Sequence, residues 1–150
     1  MTSIAPQLET LINDFFTKLN SLTEDDLAYK SSPTKWSNKE LIGHLIDSVQ
    51  NNIHRFIVAQ YEDEPTIIYN QDKWVAINNY QQWNAEDLIR LWYFLNRQIA
   101  IVVKNISGEM SQRICRSNVS NTIEWVATDY IKHLKHRMHQ VLNLELVAYP

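Results

Sequence analysis

Apolar residues recur at three- and four-residue spacing along most of this chain, separated by polar stretches. Leu8, Leu11, Ile12, Phe15, Phe16 and Leu19 form the first series, which predicts a helix from about Pro6 to Leu22 with one apolar face. Pro6 suits the first turn, where its missing N–H has no helical partner to lose. A second series, Leu41, Ile42, Leu45, Ile46, Val49, Ile53, Phe56 and Ile57, runs to about Gln60 and stops at Glu62-Asp63-Glu64 and Pro65. Its start is well specified. Ser37 and Glu40 have capping-box spacing, and Trp36 and Leu41 are placed as a hydrophobic staple.

Residues 62–83 predict a long connection with a short helical turn around Trp74. The third helix then opens on WNAEDLI, an echo of WSNKELI, with Asn84 and Asp87 in the roles of Ser37 and Glu40 and Trp83 and Leu88 as the staple. Its apolar face is Leu88, Leu91, Trp92, Leu95, Ile99, Val102 and Val103, ending near Gly108. A polar loop containing Cys115 follows. SNTIEW opens the last helix, with Asn121 as its expected cap, Glu124 three residues on, and Ile123, Val126, Ala127, Tyr130, Leu134, Met138 and Val141 along one face.

Four amphipathic helices bury their stripes most economically against one another. Only two glycines and four prolines interrupt 150 residues, which favours long helices over tight hairpins. The expected fold is therefore all-α: one domain over residues 1–150, a four-helix bundle with long connections between the second and third and between the third and last helices.

Composition narrows the function classes. A net charge of −3 with no basic run counts against nucleic-acid binding. No cationic-then-apolar leader and no apolar run of about 18 residues is present, so neither secretion nor membrane spanning is expected. A single cysteine excludes an internal disulfide framework and fits a reducing cytoplasm.

Candidate chemistry lies in the histidines. A helix turns about 100° per residue, so His44 falls roughly 150° from the apolar stripe of the second helix, beside Ser37, Ser48, Asn51 and Arg55. It is either a solvated residue of a polar face or a ligand in a groove. His54 is also off the stripe, with no evident partner. In HLKHRMH of the last helix, His133 and Arg137 share the flank nearer the core, whereas His136 and His139 point toward water. Residues four apart on a helix can chelate one metal, but the second member of this inward pair is arginine, which has no lone pair to donate.

The segments KWSNKELIGHLIDS, YNQDKWVAINNYQQW and DYIKHLKHRMHQVL resemble the DinB-like family of bacterial DNA damage-inducible four-helix-bundle proteins, and the resemblance covers nearly the whole chain in order. It implies a divalent-metal site of three histidines, one matching His44 and an i, i+4 pair whose first member matches His133. The second member matches Arg137, so two of three ligands remain. It also implies homodimers, and in some members a metal-dependent transferase activity with a low-molecular-weight thiol such as bacillithiol or mycothiol.

Two functions follow as expectations. One is a metal-dependent transferase using Zn²⁺, Ni²⁺ or Fe²⁺ on His44 and His133, with water, Gln140 or substrate completing the set; Arg137 repels the cation, so binding is expected to be weak or absent. The other is a metal-free groove in which Arg137 takes a carboxylate or phosphate, with His44, Ser48 and Asn51 adding hydrogen bonds. A third account pairs Arg137 with an internal carboxylate. Cys115 is a minor nucleophile candidate, flanked by Arg113 and Arg116, which would lower its pKa. His136 and Asp47 are the other conceivable third ligands, both poorly directed.

Overall fold

The computed structural model describes residues 1–149. Four long helices make the bundle: α1 (Ile4–Leu19), α3 (Asn38–Val58), α5 (Ala85–Asn105) and α6 (Ile123–Val141). Two shorter ones, α2 (Glu24–Ala28) and α4 (Gln71–Asn78), sit in the connections, as does a small hairpin of β1 (Ile114–Arg116) and β2 (Ser120–Thr122). Helix α3 packs on α5 and α6, and α1 packs on the same two. Chain-consecutive α1 and α3 therefore lie across one diagonal and α5 and α6 across the other, while α3 and α5, joined by the longest connection, pack directly.

The apolar stripes meet in a single core. Leu8, Ile12 and Phe15 of α1, Ile42, Leu45 and Val49 of α3, Leu88 and Trp92 of α5, and Leu134 and Met138 of α6 are all buried in it. One polar link spans the α5–α6 diagonal: the Tyr130 hydroxyl donates to Asn96 Oδ1 at 2.5 Å, and both residues are buried.

Local chemistry explains most helix starts. Ser37 and Glu40 form the reciprocal capping box. In α5 only half of the expected box forms: Asn84 accepts from the Asp87 N–H. Helix α4 is capped by Asn70 and ends at Asn79, which is left-handed at φ 51°. The cap of α6 is Thr122, not Asn121: its hydroxyl accepts from the Trp125 N–H, while Asn121 belongs to β2 opposite Cys115. The first helix stops short of the predicted Leu22. After α1 ends at Leu19, Thr23 and Asp26 form an unanticipated capping box for α2.

The hairpin was not anticipated either. Its strands are three residues each and one is polar throughout, leaving no alternation to read. It anchors the connection after α3: the Arg116 N–H donates to the Pro65 carbonyl and the Ile67 N–H to the Arg116 carbonyl, each at 2.9 Å. Arg55 Nη2 donates to the Ile67 carbonyl at 2.9 Å and Arg113 Nε to the Ala59 carbonyl at 2.6 Å. These bonds tie the hairpin and the connection to the C-terminal end of α3.

Candidate functional site

Helix α3 is the central element, touching α5, α6, α4 and α2. Every residue from Ile42 to Val49 is consequently buried, polar ones included. His44 is 1% exposed, so the solvated reading is corrected: a wheel locates one apolar stripe, but here neighbours cover the other sides as well. His54 is exposed, as expected.

Helix α6 brings His133 against His44, with their Nε2 atoms 3.1 Å apart and the rings perpendicular. The Trp36 ring also lies against His44, at 5.0 Å between centroids. The staple residue is therefore also a wall of the site. Arg137 lies over Trp36, its guanidinium carbon 6.0 Å from the ring centroid, a cation–π contact.

Burial, then the Arg137 charge, holds His133 down to about 4; burial, then His133 and Arg137, holds His44 down to about 3. Both imidazoles are neutral near pH 7. His44 Nδ1 is buried without a partner among the described residues. An unmet lone pair costs less there than an unmet N–H, which assigns the proton to His44 Nε2, donating to His133 Nε2.

These residues do not fit a three-imidazole metal centre. Among the described residues no three His, Cys, Asp or Glu side chains are grouped to hold a metal. Arg137 puts a cation at the third position. A ligating imidazole also normally donates its second N–H to a fixed acceptor, and His44 Nδ1 has none. Asp47 cannot substitute: it is fully buried, accepting from the Tyr80 hydroxyl at 2.5 Å. Its other oxygen has no partner among the described residues, and burial pushes its carboxyl up to about 6, against the pull of the Tyr80 bond. His136 is likewise committed, to the Val147 carbonyl at 2.6 Å.

A cavity of about 610 Å³ opens beside the histidine pair, lined by His44, Ser48, Tyr69, Trp125, His133 and Arg137 among others. Of the expected groove residues, Ser48 lines it and Asn51 does not; Asn51 is buried, donating to the Asp47 carbonyl at 2.9 Å. Its neighbour Asn52 takes the lining position. Gln140 lies on a second cavity of about 1040 Å³, where it accepts from Arg137 Nη1 at 3.1 Å. Arg137 thus stands between the two cavities. No ion pair to Arg137 forms among the described residues, correcting the account that gave it an internal carboxylate. Its Nε is buried and has no partner among the described residues.

Cys115 also lines the smaller cavity but is 3% exposed, and burial pushes its thiol up. Arg113 and Arg116, expected to activate it, turn instead to the Ala59 and Glu62 carbonyls and to Glu64. Sequence reasoning missed Tyr69, Trp125, Asp129 and Tyr149 on the cavity wall. Only Asp129 carried a signal, lying one helical turn before His133.

The fold has solved counterparts. YfiT from Bacillus subtilis, described as "a probable metal-dependent hydrolase with an unusual four-helix bundle topology", superposes with TM-score 0.69 at 16% identity, over 94% of this chain and 89% of that one. A mycothiol-dependent maleylpyruvate isomerase gives TM-score 0.77 at 10% identity, over 98% of this chain and 61% of the isomerase, so this chain spans less than two thirds of that enzyme. In sequence, an Oceanobacillus iheyensis protein named "putative metal-dependent hydrolase" is 24% identical over 141 residues, which is 93% of this chain and 80% of the relative. Residues 7–141 match the model of the DinB superfamily, and the chain belongs to that superfamily.

Proposed function

We propose that this protein binds a small organic or inorganic anion, a carboxylate or a phosphate, in the cavity beside His44 and His133. The observation that carries the reading is Arg137. Its Nη1 is committed to Gln140, whereas Nε is buried with no acceptor and no carboxylate pairs with the guanidinium among the described residues. A guanidinium with one edge unmet is matched by the two oxygens of a carboxylate or phosphate. The neutral imidazoles add no charge and leave Arg137 as the anchor, while Ser48 offers a hydroxyl on the same wall.

The test is an NMR titration of the Arg137 Nε–H with acetate and with inorganic phosphate, paired with calorimetry. Binding is expected to move that resonance downfield and to disappear in Arg137→Gln. Anion binding that survives Arg137→Gln, or leaves the resonance in place, overturns the reading.

A metal-dependent activity is the second reading, hydrolytic as in the names of the relatives or a thiol transfer. What favours it is the 3.1 Å separation of the two Nε2 atoms, within the span of two neighbouring ligands on one ion. The missing third ligand counts against it, and titration of the untagged protein with Zn²⁺, Ni²⁺ and Fe²⁺ separates the two readings.

A further inference from the structure

The two histidines expected to face water have another occupation. After α6 the chain turns at Asn143, which is left-handed at φ 55°, and runs back along the helix. Asparagine tolerates that conformation better than most residues. Its return path is held at regular intervals. The Glu145 carbonyl meets His139 Nδ1 at 2.7 Å, and the Val147 carbonyl meets His136 Nδ1 at 2.6 Å. Because a carbonyl only accepts, both imidazoles carry their protons on Nδ1 and donate them. Tyr149 completes the path, its hydroxyl donating to Asp129 Oδ2 at 2.8 Å. The Tyr149 ring lies 5.4 Å from that of His133 and 5.9 Å from that of His136.

This places Tyr149 on the wall of the cavity that also holds His44, His133 and Arg137. Apolar burial contributes little to the arrangement, since Leu144 and Leu146 are exposed. A segment held by a few polar contacts and little buried surface opens at low cost. The same cavity wall carries several aromatic rings: Tyr69, Trp125, Tyr130 and Tyr149 accompany the two imidazoles. A flat molecule gains from such faces in a way that a tetrahedral anion does not.

We infer that residues 143–149 form a strap roofing the cavity, latched by His136 and His139, and that Tyr149 is a ligand-contacting residue selecting planar, ring-bearing carboxylates. The choice of ligand rests on the anion-binding reading above; the roof does not.

Two measurements on the full chain test it. The first is the rate at which N-ethylmaleimide, a neutral reagent, modifies Cys115 under native conditions. The cavity-lining thiol is expected to react about tenfold faster in His136→Ala/His139→Ala and in Tyr149→Ala, at unchanged thermal midpoint, with Tyr149→Phe in between. Unchanged rates in both the latch and the Tyr149→Ala proteins overturn the roof. The second compares acetate and benzoate by calorimetry. Benzoate is expected to bind about tenfold more tightly than acetate to the parent, and Tyr149→Ala to remove that advantage. A benzoate advantage that survives in Tyr149→Ala overturns the contact. If neither anion binds the parent, the anion-binding reading and the ligand role of Tyr149 both fall, while the modification rates still decide the roof.

Discussion

A single side chain, Arg137, separates this site from a three-histidine one. It shares a flank of α6 with His133, four residues before it, and His133 already faces His44. Arg137→His should therefore complete the set and convert a weak or absent metal site into a real one. At a hundredfold excess of Zn²⁺ or Ni²⁺ over the dissociation constant, a folded-state site adds about 2.7 kcal/mol of stability. Thermal unfolding with and without metal is expected to show that gain in the variant and little in the parent; an equal gain in the parent would mean a third ligand exists there. Asp47 supplies a second prediction at this scale. Its folded pKa of about 6 lies above the ordinary 3.8, so the folded protein holds that proton more tightly than the unfolded chain. Its contribution is favourable below about pH 4, is lost as pH rises to about 6, and stays lost above. Asp47→Asn should relieve that cost, so its stability relative to the parent should be greater at pH 7 than at pH 4 by roughly 2 kcal/mol. Denaturant titrations at the two pH values check the sign, and a difference independent of pH would rule out Asp47 as the titrating group.

At the level of the helices, the caps are where sequence and structure can be compared residue by residue. Ser37 was legible because capping-box spacing is a local chemical pattern, and its hydroxyl is also bonded to Gln81 on the connection before α5. Ser37→Ala should cost about 1–2 kcal/mol, measured by chemical unfolding. The start of α6 was misplaced by one residue because Asn121 and Thr122 are both competent caps. Pairing of Asn121 with Cys115 in the hairpin, a non-local contact, decides between them. Thr122→Ala should accordingly cost about 1 kcal/mol and Asn121→Ala should cost less than that. The reverse order would return the cap to Asn121. The short α2 was overlooked although its Thr23–Asp26 box follows the same rule, because five residues are too few to show a periodic apolar face.

At the scale of the whole molecule, Gly43 is where the longest connection packs directly on the backbone of α3. A Cβ at Gly43 would lie 2.0 Å from the Tyr80 ring, so the absence of a side chain is what lets that ring reach Asp47 over the back of α3. Gly43→Ala should force the ring out and cost about 1–3 kcal/mol despite the better helix propensity of alanine, visible as a lower thermal midpoint. A midpoint equal to or above that of the parent would show that the connection can move away freely. The sequence by itself determined the all-α class, the four amphipathic helices, most of their caps and the residue types at the site, because these depend on periodicity and on contacts within a few residues. Burial of His44, its meeting with His133, the free edge of Arg137 and the return of the tail over His136 and His139 were decided only in the tertiary structure. Each depends on which helices lie side by side, and with α1 opposite α3 and α5 opposite α6, two of the three consecutive pairs of long helices are not neighbours in space.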